Sequence, residues 1–220
     1  MKKAGVLPVY NSVDLYFDHG DGVYLYTEDG TRYLDFTSGI GVTCLGHSHP
    51  ALVSALRDQA GKLWHCSNLF KIKGQETVAK KIVDHSFASN VFFCNSGAEA
   101  VEAGIKAVRK YFYLNKKNKY KIICVNNAFH GRTLGAISAA GQHKLLEGFD
   151  PKLNGFGHVD FNDLEAIEKK IDKQTAAILI ETVQGEGGVN PATKEYLLGL
   201  KDIAKKNDLL LFFDEVQCGI

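Results

Sequence analysis

The segment 177–213 begins with the apolar run Ala177-Ile178-Leu179-Ile180 and ends with the apolar run Leu209-Leu210-Leu211-Phe212-Phe213. Between the two runs, residues Pro191 to Lys206 have the apolar spacing of a helix. Strands that are apolar throughout, rather than alternating with polar residues, are typical of parallel sheets covered on both faces. The segment therefore predicts a strand, a helix and a second strand that lies parallel to the first.

The same alternation extends toward the N-terminus. Apolar runs at Val91–Cys94 and Ile122–Val125 predict two further strands. A further helix is expected to begin at Asn162, with Glu165 in the capping-box position. The pattern predicts an α/β fold with a mainly parallel sheet and helices on both faces. The long helix between the first two strands is indicated by one apolar face, formed by Val101, Ile105, Val108 and Phe112.

Residues 22–42 have a different pattern. Two strand-like runs, Val23–Tyr26 and Arg32–Phe36, flank the turn dipeptide Asp29-Gly30, which predicts an antiparallel hairpin. A glycine-rich connection follows, and Pro50 is expected in the first turn of a helix with Leu52, Leu56 and Leu63 on one face. We therefore predict two domains, an N-terminal segment with a hairpin over 1–48 and a larger α/β domain over 49–220.

Composition and charge exclude several classes of protein. The chain has 26 basic and 25 acidic residues, a balance that favours neither nucleic acid nor an anionic membrane as a partner. No apolar stretch approaches the length of a membrane span, and none follows the N-terminus as a secretory signal would. The 5 cysteines are odd in number and irregularly spaced, which argues against a disulfide framework and a zinc site. We predict no metal site and a cytoplasmic location.

Chemically distinctive residues follow the predicted strands, at the edge where open α/β sheets bind ligands. After Val91–Cys94 comes Asn95-Ser96-Gly97-Ala98-Glu99, where the free amides of a helix N-terminus can bind a phosphate. A simple helix cap with no ligand is the alternative. After Ile122–Val125 comes Phe129-His130-Gly131-Arg132-Thr133, in which an aromatic ring can stack on a planar ligand and an arginine can hold a carboxylate. Core packing for Phe129 and a surface position for Arg132 are the alternatives, and His130 is interpreted as structural.

Two more strand ends carry carboxylates. Glu186 lies in the loop Gln184-Gly185-Glu186-Gly187-Gly188, where a flexible turn without function is the alternative. Asp214 ends the last apolar run, and a buried acid is costly unless it is paired. A solvated carboxylate or a magnesium ligand is the alternative for Asp214. The phosphate loop GxxxxGK[ST] is absent from the sequence, which weakens a nucleotide-binding interpretation.

Taken together, the motifs resemble class-III pyridoxal-phosphate aminotransferases, and most closely the acetylornithine branch. The resemblance covers essentially the whole chain, and the motifs occur in the family's order. They are Ser38-Gly39-Ile40-Gly41-Val42, Leu45-Gly46-His47-Ser48-His49-Pro50, Leu63-Trp64-His65-Cys66-Ser67-Asn68-Leu69, Asn95–Glu99, Ala128–Thr133, Gln184–Gly188 and Asp214-Glu215-Val216-Gln217-Cys218-Gly219.

The resemblance implies a fold and a cofactor. It implies the large domain of the type I pyridoxal-phosphate fold, incomplete here, together with an antiparallel N-terminal segment of the small domain. It also implies one role for each site residue. Ser96, Gly97 and Ala98 would hold the cofactor's phosphate. Phe129 and Val216 would cover the two faces of its ring, Asp214 would contact the ring nitrogen, and Gln217 would contact the phenolic oxygen. Arg132 would hold the substrate's α-carboxylate, and Glu186 would pair with an arginine of the C-terminal half.

The implied reaction moves the terminal amine of N-acetylornithine to 2-oxoglutarate, a step of arginine biosynthesis, in a homodimer. In the family, the lysine that forms the Schiff base with the cofactor comes after Asp214–Gln217, and its position would lie beyond Ile220. We therefore expect no catalytic lysine in this chain, which resembles an N-terminal part and should be inactive alone. Ornithine, 4-aminobutyrate and succinyldiaminopimelate remain alternative amino donors. A non-catalytic phosphate-binding module remains the alternative from another class.

Overall fold

The computed structural model describes residues 5–219, which form two compact units. One unit comprises the chain up to Lys73 and the other begins at Gly74. The domain boundary predicted at residues 48 and 49 stays a prediction, because these units are defined by contacts within this chain alone. None of the helices within residues 5–219 is long and apolar enough to cross a membrane.

The first unit contains a three-stranded antiparallel sheet in the order β1-β2-β3. The predicted hairpin is confirmed, with Tyr24 opposite Leu34 and Tyr26 opposite Arg32. A four-residue helical turn and one regular helix follow, and the helix begins at Pro50 as expected. The elements are β1 (His19–Asp21), β2 (Tyr24–Tyr26), β3 (Arg32–Leu34), α1 (Ser38–Gly41) and α2 (Pro50–Ala60).

The second unit alternates helices and strands, as the apolar runs predict. A short antiparallel pair, β7 and β8, lies between the longer elements. The elements are α3 (Lys73–Asp84), α4 (Gly97–Leu114), β4 (Lys121–Val125), α5 (Leu134–Ala139), α6 (His143–Leu146), β5 (Phe156–Val159), α7 (Leu164–Lys170), β6 (Thr175–Glu181), β7 (Val183–Gln184), β8 (Asn190–Pro191), α8 (Lys194–Asn207) and β9 (Leu210–Asp214).

The main sheet has the strand order β5-β4-β6-β9, and all three strand pairs are parallel. Side chains alternate across the sheet, so each strand supplies both cores. On β6, Ile178 and Ile180 belong to the core under α7 and α8, whereas Ala177 and Leu179 belong to the core under α4 and α5. The prediction of a mainly parallel sheet with helices on both faces is therefore confirmed. This topology brings the carboxyl ends of β4, β6 and β9 to one edge.

Four sequence predictions about strands and helices are wrong in detail. Residues 91–94 form no strand, and Phe92 is 77% exposed, because none of the residues 5–219 supplies a strand that pairs with this run. The helix expected at Asn162 begins at Leu164, because the Asp163 side chain accepts the Ala166 N–H at 2.8 Å and so caps the helix.

The helix expected from Pro191 begins later, at Lys194. Thr193 caps it by accepting the Tyr196 N–H at 3.1 Å, and Pro191 lies in β8 instead. Likewise, Leu63 lies beyond the end of α2 at Ala60 and is not part of its apolar face. In each case the apolar spacing predicted that a helix is present, and local contacts such as caps determined the residue at which it begins or ends.

Candidate functional site

A buried histidine–aspartate pair joins the segment after β4 to the end of β9. His130 Nδ1 lies 2.7 Å from Asp214 Oδ2, and the two residues are 2% and 6% exposed. Because a carboxylate only accepts hydrogen bonds, Nδ1 is the nitrogen that donates. The other carboxylate oxygen, Oδ1, accepts the Val216 N–H at 3.1 Å. The Asp214 side chain is therefore fixed on both oxygens.

The N-terminus of α4 is capped as the sequence predicts. Ser96 has an extended backbone, and its Oγ accepts the Glu99 N–H at 3.2 Å. The Glu99 carboxylate turns back and accepts the main-chain N–H of Asn95 at 2.7 Å and its side-chain amide at 2.9 Å. This is one residue earlier than in a standard capping box. The first amides of the helix are left without partners inside the helix, as at any helix start.

Close contacts at two glycines bring three loops together at this helix end. A Cβ atom on Gly97 would lie 2.7 Å from a methyl carbon of Val216. A Cβ atom on Gly131 would lie 2.8 Å from the Cβ of Ala98, and Gly131 has a φ of +111°, which favours glycine. The start of α4 therefore touches both the segment after β4 and the segment after β9.

Phe129 and Arg132 are also neighbours at this edge. The Arg132 guanidinium carbon lies 5.7 Å from the centroid of the Phe129 ring, within the range of a cation–π contact. Phe129 is half-buried and Arg132 is exposed. Arg132 thus reaches the ring without being fixed by an ion pair to a carboxylate within the described residues.

Glu181, at the end of β6, is a site residue that sequence reasoning missed. It is 5% exposed and pairs in register with Asp214 on β9. One carboxylate oxygen accepts the Phe129 N–H at 3.4 Å. The pKa of Glu181 is raised to about 7, chiefly by burial and to a smaller extent by the nearby carboxylates of Asp214 and Glu186, while the Phe129 N–H acts in the opposite direction. A buried acid directly after an apolar strand was the signal, and the sequence analysis applied it to Asp214 alone.

The glycine-rich loop 185–188 packs beside the segment after β4. Gln184 Nε2 donates to the Asn126 carbonyl at 2.9 Å, and a Cβ on Gly187 would lie 2.8 Å from the Asn127 carbonyl oxygen. A Cβ on Gly185 would lie 3.4 Å from the side chain of Gln217. Glu186 itself is exposed. Within the described residues, no group of three or more histidines, cysteines and acids could hold a metal ion.

In the first unit, His47 has a structural contact that the sequence did not explain. His47 Nε2 lies 2.8 Å from Asp35 Oδ2, and the ring packs against Gly20, where an added Cβ would lie 2.6 Å away. Asp35 Oδ1 accepts the N–H groups of Thr37 and Ser38 at 2.8 and 2.9 Å. Hydrogen bonds from Thr37 and His47 hold the pKa of Asp35 well below its usual range. The pair anchors the turn at α1.

The structure therefore brings most of the predicted residues together at the carboxyl edge of the sheet. Ser96, Gly97 and Ala98 begin α4, Asp214 and Val216 follow β9, and direct contacts join them through His130 and Gly131. His130 and Glu181 also belong to this cluster, but the sequence did not identify them, because each looks like an ordinary structural residue until its partner is known. The fold is that of an α/β protein, and this cluster lies at the carboxyl edge of its parallel sheet, the edge where open α/β sheets bind ligands.

The chain is similar to known proteins over its whole length. The sequence profile of class-III aminotransferases matches residues 8–220. An acetylornithine aminotransferase from Mesorhizobium japonicum is 51% identical over 221 aligned residues, which cover 100% of this chain and 55% of that protein. The chain thus spans about half the length of the curated relatives it matches.

Solved structures agree with this relationship. An ornithine aminotransferase from Toxoplasma gondii, described with partial occupancy of pyridoxal phosphate at its active site, has a TM-score of 0.91 and 31% identity, over 98% of this chain and 51% of that one. An N-acetylornithine aminotransferase from Stenotrophomonas maltophilia has a TM-score of 0.81 and 36% identity, over 96% of this chain and 53% of that one. The chain belongs to the class-III aminotransferase family, whose members are pyridoxal-phosphate enzymes.

Proposed function

We propose that the whole protein transfers the terminal amine of N-acetylornithine to 2-oxoglutarate in arginine biosynthesis. The relatives with about 50% identity, which are named acetylornithine aminotransferases, support this choice of amino donor. The observation that carries the proposal is the buried Asp214 carboxylate, fixed by His130 at 2.7 Å and lying close to the start of α4. We assign this chain the larger part of the cofactor cradle.

The start of α4 fits a phosphate group. Free N–H groups and the positive end of the helix dipole attract an anion, and Ser96, Gly97 and Ala98 supply them here. Gly97 and Gly131 have no side chains, so Val216 and Ala98 pack directly against the main chain at this helix end. We propose that Ser96, Gly97 and Ala98 hold the phosphate of pyridoxal phosphate.

Asp214 fits the nitrogen of a cationic pyridine ring. A fixed, buried carboxylate favours the protonated form of a base beside it. When bound, pyridoxal phosphate supplies a cationic ring that withdraws electrons from the carbon atom carrying the amine. We propose that Phe129 covers one face of that ring, Val216 the other, and that Gln217 donates a hydrogen bond to its phenolic oxygen.

Two charged side chains would recognise the substrate. Arg132 is exposed, lies against the Phe129 ring and can bind a carboxylate with two parallel hydrogen bonds. We propose that it holds the α-carboxylate of both amino donor and acceptor. Glu186, exposed on the loop 185–188, would pair with an arginine from the C-terminal half of the protein, as the resemblance implies.

We further propose that the whole protein is a cytoplasmic homodimer, as the resemblance implies. The 5 free cysteines fit a reducing compartment, since oxidising compartments favour disulfides. Gel filtration of the whole protein tests the assembly. Elution as a monomer at micromolar concentration would contradict it.

Cofactor binding is tested by titrating the 220-residue chain with pyridoxal 5′-phosphate and following the absorbance of the ligand. Asp214→Asn removes a charged acceptor, and a charge-assisted hydrogen bond contributes about 1.5–3 kcal/mol. We therefore expect Asp214→Asn to weaken binding about ten- to hundredfold. Asp202→Asn, at an exposed position on α8, is the control and should bind like the unsubstituted chain. Equal affinities for both variants would contradict the role of Asp214.

Substrate choice is tested on the whole protein with N-acetylornithine, ornithine and 4-aminobutyrate as amino donors and 2-oxoglutarate as acceptor. We expect the highest kcat/KM with N-acetylornithine. A higher value with either other donor would overturn the proposed substrate and leave the aminotransferase class intact. Arg132→Lys should raise KM for 2-oxoglutarate, because lysine cannot reproduce the two parallel hydrogen bonds of arginine.

A further inference from the structure

Glu181 is a buried ionisable group that the proposed function leaves without a role. It lies at the carboxyl end of β6, is 5% exposed, and has one hydrogen bond within residues 5–219, from the Phe129 N–H at 3.4 Å. A buried carboxylate with so few donors is unfavourable in its charged form. Its position is nonetheless central, since it contacts the main chain of Phe129 and pairs in register with Asp214.

The charged groups around Glu181 come from three parts of the fold. Asp214 on β9 and Glu186 on the loop after β7 both repel a negative charge on Glu181. After β4, His130 is directed at Asp214, and Arg132 lies over the Phe129 ring. Two carboxylates therefore act directly on Glu181, while His130 contacts Asp214 and Arg132 contacts the Phe129 ring. A cationic ring bound beside Asp214 would attract a negative charge on Glu181 and so oppose the repulsion by the two carboxylates.

We propose that Glu181 is a positioning residue of the cofactor site: it fixes the main chain of Phe129, and it releases a proton when a cationic ring binds beside Asp214. The proposal rests on the proposed function, since it assumes a ring that lies between Phe129 and Val216 with its nitrogen beside Asp214. The hydrogen bond fixes the main chain of Phe129 beside the end of β6, and so sets the position from which its aromatic side chain extends. The released proton leaves a carboxylate that stabilises the ring's positive charge together with Asp214.

The positioning part is tested without any ligand, by amide hydrogen exchange at Phe129 in the 220-residue chain. Glu181→Leu removes the acceptor, and a net contribution of about 0.5–1.5 kcal/mol predicts roughly two- to tenfold faster exchange. Glu181→Gln keeps an acceptor oxygen and should leave the exchange rate unchanged. This variant keeps the positioning role testable if the leucine variant fails to fold. Unchanged exchange in Glu181→Leu would overturn the positioning role.

The charge part is tested by calorimetry with pyridoxamine 5′-phosphate, a probe that needs no covalent anchor. Titrations at pH 6.5 in two buffers of different ionisation enthalpy count the protons released. We expect the unsubstituted chain to release more protons than Glu181→Gln, by roughly half a proton or more per chain, because a pKa of about 7 leaves the Glu181 carboxyl group mostly protonated at pH 6.5 before binding. Glu165→Gln, at an exposed position on α7, is the matched control and should release as many as the unsubstituted chain.

The outcomes separate the two proposals. Equal proton release by the unsubstituted chain and Glu181→Gln, with normal binding, would overturn the charge change and leave the cofactor site intact. Because this chain holds only part of the proposed cradle, the whole protein, freed of its cofactor, is titrated in the same way if the chain alone does not bind. Absence of binding there would overturn the cofactor site and the charge change together. The exchange rate at Phe129 would in that case still decide the positioning role.

Discussion

Replacing His130 by leucine is expected to destabilise the second unit strongly. The His130 Nδ1 to Asp214 Oδ2 distance is 2.7 Å, and both residues are almost completely buried. Removing one partner of such a pair leaves a buried charge uncompensated, which costs about 3–5 kcal/mol. Asp214 keeps the N–H of Val216 at 3.1 Å, so we expect the lower end of that range, about 3 kcal/mol.

The assay is urea unfolding of the 220-residue chain at pH 7, followed by circular dichroism. The double variant His130→Leu with Asp214→Leu removes both partners, and should be destabilised by at least about 2 kcal/mol less than the sum of the single variants. His143→Leu, at an exposed position on α6, should stay within about 0.5 kcal/mol of the unsubstituted chain. A loss below about 1 kcal/mol for His130→Leu, or strict additivity, would refute the pair as a stabilising contact.

Other substitutions test the remaining contacts. Gly131→Ala should cost about 2–3 kcal/mol, because φ is +111° and the new methyl group would meet Ala98; a melting temperature equal to that of the unsubstituted chain would contradict this contact. Ser96→Ala should cost about 1 kcal/mol through loss of the α4 cap, measured by urea unfolding, with Ser96→Thr as the control that keeps the hydroxyl group. Asp35→Ala should speed amide exchange at Thr37 and Ser38, whose N–H groups it accepts, and unchanged protection would argue against the anchor. The pKa of Glu181 is raised from 4.5 to about 7, so the stabilisation due to its proton is complete below pH 4.5 and is lost as the pH rises through 7. Relative to Glu181→Gln, the unsubstituted chain should therefore lose about 3 kcal/mol of unfolding free energy between pH 4 and pH 8, and parallel stability curves would contradict the assignment.

Much of the fold could be predicted because the positions of most strands and helices follow from apolar runs. The runs at Ile122–Val125 and Ala177–Ile180 are apolar on both faces, and each supplies side chains to both cores. The run at Val91–Cys94 looks the same in sequence and forms no strand, because pairing needs a partner that local pattern does not reveal. The first residues of α7 and α8 could not be predicted, because they depend on which side chain accepts a hydrogen bond from the first free N–H groups. Asp163 and Thr193 do so, rather than their neighbours.

The site was predictable where one residue carries its chemistry alone. Ser96 as a cap follows from a local rule. The roles of His130 and Glu181 depend on distant partners, since each contacts a residue that follows another strand. The same holds for His47, whose contact with Asp35 crosses the turn at α1. A single sequence gives no signal for such pairs until the strand order is known.

The His130–Asp214 contact also has a consequence for the order of folding events. The two residues are 84 positions apart, and β4 must first pair with β6, and β6 with β9, before they meet. Contacts between residues so far apart in sequence form late, because the entropy lost on closing a long loop precedes the gain from the contact. On a ribosome, the start of α4 and the segment after β4 are synthesised well before Asp214. Ligand binding at this edge should therefore appear only after β9 has joined the sheet, and a bound phosphorylated ligand would report a completed sheet.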